Sequence, residues 1–154
     1  MKLEVEFNNQ SKSPVRKDIF ARGISRAIEL GGLEFLKKRN ITVSLALVDS
    51  GEIRRLNRTY RKNNSVTDVL SFSEYKNTAE IRKIKDKKIF LGEIILCYND
   101  IKKYSAKQKI NFSEELVRVA AHGALHLLGF RHGKKMFEIQ KEAAGMYRES
   151  KIKK

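Results

Sequence analysis

The chain has 154 residues, 41% apolar and 33% charged, with one proline, one cysteine and no tryptophan, a mix that argues for an ordered globule with an ionic surface and excludes an internal disulfide. Its 33 Lys and Arg against 18 Asp and Glu leave a formal charge of +15, which points to a polyanionic partner, with solvated charge as the alternative. Apolar runs stay short of the ~18 residues that span a bilayer, the start MKLEVEFNNQ has no continuous apolar stretch, and no basic segment carries an aromatic amphipathic face, so a cytoplasmic nucleic-acid binder without membrane contact is expected.

In chain order, KLEVEF alternates Leu3, Val5 and Phe7 with polar partners, the period of a half-buried strand. After Ser13-Pro14, apolar residues from Val15 to Leu30 recur at helical spacing until Gly31-Gly32 stops them. ITVSLALVDS reads as a strand closing in a turn at Asp49-Ser50-Gly51, and EIRRLNRTYRK as the helix that follows. TDVLSFSEY and IFLGEIILCY are two further strands, with Gly92 marking a bulge or a close backbone approach. Between them, residues 75–88 are dense in lysine and are expected to form an exposed hairpin-like excursion. The lone Cys97 sits in an apolar run and is expected in the core. Asn99 is placed to cap a helix through KYSAKQ, and Ser113 to cap the helix LVRVAAHGALHLLG, which Gly129 ends. A closing helix presents Met136, Ile139, Ala143 and Met146 on one face, and a basic tail follows from about residue 148. The expected architecture is α+β over residues 1–154 as one domain, a mixed sheet of about four strands packed with about five helices.

All three histidines fall within the segment HGALHLLGFRH, at His122, His126 and His132, with Gly129 between the last two. Random placement gives this spacing roughly once in four thousand arrangements, so accident explains it poorly. Residues four apart share a helix face, which lets His122 and His126 turn ring nitrogens to one metal ion. Gly129 frees the backbone to fold back, so that His132 reaches the same ion. Three neutral imidazoles leave a tetrahedral zinc with one position for water, the pattern of catalytic rather than structural sites. The same spacing occurs on the zinc helix of metzincin peptidases, but the glutamate that serves them as general base is Gly123 here, which argues against proteolysis.

HGALHLLGFRH, together with LNRTYR (residues 56–61), TDVLSF (residues 67–72) and the Gly92-Glu93-Ile94-Ile95-Leu96 strand, resembles the YbeY family of bacterial ribosomal RNA maturation factors. The resemblance implies a zinc-dependent, single-strand-specific endoribonuclease acting in small-subunit ribosomal RNA maturation and ribosome quality control. It implies His122, His126 and His132 as ligands of one zinc ion, and Arg61 and His122 as catalytic residues, with Arg61 clamping a phosphate. Implied partners are ribosomal RNA, the small ribosomal subunit, and ribosomal proteins or a ribosome-assembly GTPase. Two other readings stay open: a non-catalytic zinc-containing assembly factor, and a metal hydrolase of another substrate. Arg131 stands where the family usually has Asp, which reverses a charge beside His132.

Overall fold

The structure, a computed structural model, describes the backbone of residues 1–152 and the side chains of residues 1–145. Its elements run β1 (Lys2–Asn9), α1 (Asp18–Leu30), a single 3-10 turn (Glu34–Leu36), β2 (Asn40–Val48), α2 (Ser50–Arg61), β3 (Val69–Ser73), α3 (Thr78–Arg82), β4 (Lys88–Cys97), α4 (Tyr98–Gln108), α5 (Phe112–Leu127) and α6 (Lys134–Ile152). The α+β class and the four-stranded mixed sheet are as expected from the sequence. Strand order is β1-β2-β4-β3, with β1, β2 and β4 parallel and β3 antiparallel to β4.

Alternation along the strands sorts their side chains onto two faces. Val5, Val43, Leu45, Leu91 and Ile94 meet Phe20 and Ile24 of α1 and Leu116, Ala120 and Ala124 of α5 in the main core. Behind these, α6 lays Met136, Ile139 and Ala143 against Ala27, Ala121 and Leu125. On the other face, Ile53 of α2 covers Ala46, Val48, Leu70, Ile95 and Cys97, so Cys97 is a core residue, and burial pushes its thiol pKa up. Gly92 is a bulge and a close approach at once. The register slips between Thr42 and Val43, Gly92 has φ +139°, and a Cβ there would stand 2.2 Å from the Phe72 carbonyl oxygen.

Several element ends differ from the periodicity, each for a local hydrogen-bonding reason. The first helix starts at Asp18 rather than just after Pro14, because the Asn9 amide donates to Ser13 O (2.9 Å) and Val15 O (3.1 Å) and ties the preceding residues into a loop. Asp49 is not part of a free turn but the N-cap of α2, accepting from Glu52 N at 2.9 Å. Asn99 lies inside α4 and accepts from Ser50 N instead of capping. The cap of α5 is Asn111, whose Oδ1 accepts from Glu114 N at 3.0 Å, while Ser113 sits within the first turn.

The expected hairpin at 75–88 is instead a turn of helix, α3, capped by Asn77 and anchored by Ile81 and Ile84, which pack on the main core. This sixth helix was hidden because the positions around those two anchors are mostly charged, from Arg82 and Lys83 to Lys85 and Asp86. At the other end, α6 continues to Ile152, through the start of the predicted tail. The Met146 side chain lies outside the described residues, and the rest of its predicted face is buried as expected.

Candidate metal centre

Two of the three histidines are carried on α5, which packs against β3 and β4. At its end Gly129 takes φ +94°, Phe130 N donates to Leu125 O at 3.0 Å, and Thr78 Oγ1 donates to Leu128 O at 2.6 Å. The chain turns back there, as a left-handed residue after a helix allows. His132 thereby meets the other two: ring centroids lie 4.6 Å apart for His122 and His126, 4.9 Å for His122 and His132, and 4.7 Å for His126 and His132. One nitrogen from each ring lies within 4.8 Å of the others.

Which nitrogens face the centre follows from what the opposite ring nitrogens touch. His126 Nδ1 lies 3.1 Å from Phe130 O, a carbonyl that can only accept, so Nδ1 carries the proton. His122 Nδ1 donates likewise to Gln140 Oε1 at 2.8 Å. Both Nε2 atoms are then lone pairs, and they face each other at 3.0 Å. Two acceptors so close repel each other, and a cation between them removes the repulsion. Zinc–nitrogen bonds of ~2.0–2.1 Å at a tetrahedral angle set two nitrogens about 3.3 Å apart, so the rings stand close to ligating distance already. Burial, chiefly, holds the pKa of both His122 and His126 below the ordinary histidine range, and the neighbouring rings add to it. The pair is neutral at pH 7 and available to a metal.

The histidines form the floor of a cleft of about 470 Å³ whose wall comes from Arg61 and from Thr67 to Ser71 and Ser73. At the two ends of β3, Asp68 O accepts from Cys97 N and Glu74 N donates to Leu91 O, so the even-numbered residues bond to β4 and Ser71 O points outward along an open edge. Arg61, at the last turn of α2, donates from Nη2 to that oxygen at 2.6 Å and lies 4.9 Å over the Phe72 ring. It forms no salt bridge with Glu52, which pairs with Arg55. Arg61 and the three histidines, all expected from the sequence, therefore share one cleft. Asp68, the acid of its wall, and Gln140, behind His122, were not singled out as site residues. A larger cavity of about 740 Å³ between α4, α5 and α6 contains none of the histidines.

Gly123 packs inward. A Cβ there would stand 2.8 Å from Ile94 Cγ2 and 3.2 Å from Ser71 Oγ. The position occupied by the peptidase glutamate is thus the contact by which α5 seats on the sheet.

Fold and site together define an α+β protein with a three-histidine cleft, suited to one metal ion and flanked by an arginine. The chain belongs to the YbeY family: the family described as Endoribonuclease YbeY matches residues 6–148. Endoribonuclease YbeY of Oceanobacillus iheyensis is 30% identical over 94% of this chain and 97% of its own, and that of Desulfitobacterium hafniense 36% identical over 80% and 75%. Among solved structures, the solution structure of TM1509 from Thermotoga maritima shares the fold, with a TM-score of 0.63 at 24% identity over 98% of this chain and 96% of that one.

Proposed function

We propose that this chain is a zinc-dependent, single-strand-specific endoribonuclease, one metal-dependent hydrolase domain working in small-subunit ribosomal RNA maturation and ribosome quality control in the bacterial cytoplasm. The observation that carries this reading is the convergence of three imidazoles on one point at the floor of a cleft walled by Arg61. The names of the relatives and the +15 charge support it, and no helix among the described residues is long and apolar enough to cross a membrane.

His122, His126 and His132 hold the ion. Zinc there supplies a Lewis acid for a phosphoryl oxygen and lowers the pKa of water. Arg61 spends one N–H on Ser71 O and keeps further donors of its fork for the phosphodiester, while Phe72 fixes the plane of the guanidinium. Asp68, in the same wall, orients or accepts the proton of the attacking hydroxyl. Arg131, exposed in the turn beside His132, adds a positive group at the place of the family's Asp. Arg131→Asp is expected to weaken RNA binding and flatten its salt dependence; anisotropy titrations at several salt concentrations that show neither would remove this role.

The central test incubates zinc-loaded protein with single-stranded RNA, duplex RNA and casein, with chelator and His126→Ala as controls. Cleavage confined to single strands and lost in both controls is expected. RNA bound but never cleaved would favour the assembly-factor reading, and cleavage that survives both controls would overturn the enzyme.

A further inference from the structure

A second feature of this chain lies at the other end of the sheet. The N-terminal ends of β1, β2 and β4 stand side by side, Lys2 in register with Asn40 and Asn40 with Lys88. Two loops meet at that edge, residues 37–39 leading into β2 and residues 82–88 leading into β4. With Lys2 they bring nine cations together against two carboxylates, Glu34 and Asp86, close to half of the formal +15.

The two loops are joined by Arg39, whose Nη1 donates to Ile84 O at 2.9 Å and to Asp86 O at 2.7 Å, and by Asn40 N, which donates to Lys87 O at 2.7 Å. Arg82 lies 5.2 Å over the Phe35 ring, and Ile81 and Ile84 are packed into the core below. Anchoring the apolar residues turns the lysines outward: Lys83, Lys85, Lys87 and Lys88 are exposed and take part in no ion pair among the described residues. Holding so many like charges together costs free energy through mutual repulsion, which a polyanion relieves and a merely solvated surface does not need.

The same excursion reaches the metal cleft. It begins at Ser73, whose Oγ donates to His126 O at 3.3 Å, and its α3 touches Leu128 through Thr78. From Gly92, the partner of Ser73, back to Lys88 is four residues of strand, roughly 13 Å. A strand of RNA with one phosphate at the histidines meets this edge a few nucleotides away.

We propose that the N-terminal edge of the sheet, built from residues 37–39 and 82–88 with Lys2, is a second phosphate-binding surface that holds the flanking part of a single-stranded RNA whose reacting phosphate lies at the histidines. The inference rests on the endoribonuclease reading for its choice of polyanion. It assigns the edge to affinity for long substrates and leaves the chemistry to the cleft.

The experiment compares full-length wild-type protein with the triple variant Lys83→Gln/Lys85→Gln/Lys87→Gln. A control of equal net charge, Lys103→Gln/Lys107→Gln/Lys109→Gln, removes three exposed lysines from the α4 region. Circular dichroism melts check that all three proteins fold. Binding of a long and a very short single-stranded RNA is followed by anisotropy across a salt series, and cleavage of the short RNA is timed. For the edge variant, the slope of log K against log salt is expected to flatten by about 2 on the long RNA, at roughly 0.7 per phosphate contact. Its binding and cleavage of the short RNA are expected to stay at the wild-type level, as is the control's slope on long RNA. An unchanged slope on long RNA, or an equal loss in the control, overturns the surface while leaving the enzyme standing. Loss of sedimentation with anionic vesicles in place of any effect on RNA overturns it too, by giving the edge to lipid. Wild-type protein that shows edge-dependent RNA binding but no cleavage keeps the surface and removes the endoribonuclease.

Discussion

His122 and His126 sit with their Nδ1 protons committed and their Nε2 lone pairs opposed, and both rings are pushed toward neutrality by burial. Their folded pKa values lie below the ordinary 6.5, so the unfolded chain takes up protons there before the folded one does. The stability they contribute is complete above about pH 6.5 and is lost as pH falls from that value toward the folded pKa values. Melts of metal-free protein are expected to be flat from pH 8 to 7 and to drop in Tm below about 6.5, a drop that His122→Gln/His126→Gln reduces. Gln140 fixes which nitrogen of His122 is free. Gln140→Leu should lower zinc affinity ~10- to 100-fold in competition with a chelator, and Gln140→Glu, which still accepts, should retain most of it. The histidines were legible because their spacing is itself the geometry of a helix and a turn. Gln140 was not, because it reaches His122 from another helix 18 residues on, and its one trace in the sequence is a glutamine within the buried stripe of Met136, Ile139 and Ala143.

Elements were legible wherever burial drives them and blurred wherever side chains compete for backbone donors. The strands and long helices follow hydrophobic period, whereas the start of α5 depends on which of two polar residues, Asn111 or Ser113, accepts from an N–H of the first turn. Asn111 does. Asn111→Ala is therefore expected to lower stability by about 1 kcal/mol in urea unfolding, and Ser113→Ala to change it little. Residues 75–88 misled for a related reason. Only Tyr75, Ile81 and Ile84 are drawn inward, too few for a period to show, and the charged residues around them look the same on a helix as on a hairpin.

For the molecule as a whole, the mixed sheet with helices on both faces follows from the alternation of strands and helices along the chain. The order β1-β2-β4-β3 does not, since a strand's periodicity says which face is buried and not which neighbour it joins. The metal cleft depends on that order, because the reversed β3 brings the wall of Asp68, Ser71 and Arg61 to α5. A ligand shared by α5 and the turn after it stabilises the folded state by mass action, about 2.7 kcal/mol at a hundredfold excess over Kd. Zinc is expected to raise the Tm of wild-type protein measurably in calorimetry and to leave that of His126→Ala nearly unmoved.

The open edge of β3 bears on how the protein behaves in company. Exposed strand edges invite pairing with another chain, and β3 is short, with one of its outward carbonyls, Ser71 O, already taken by Arg61. The guanidinium proposed to clamp a phosphate thus also occupies a carbonyl that a neighbouring molecule would need to extend the sheet, so that one side chain faces both the cleft and the strand edge.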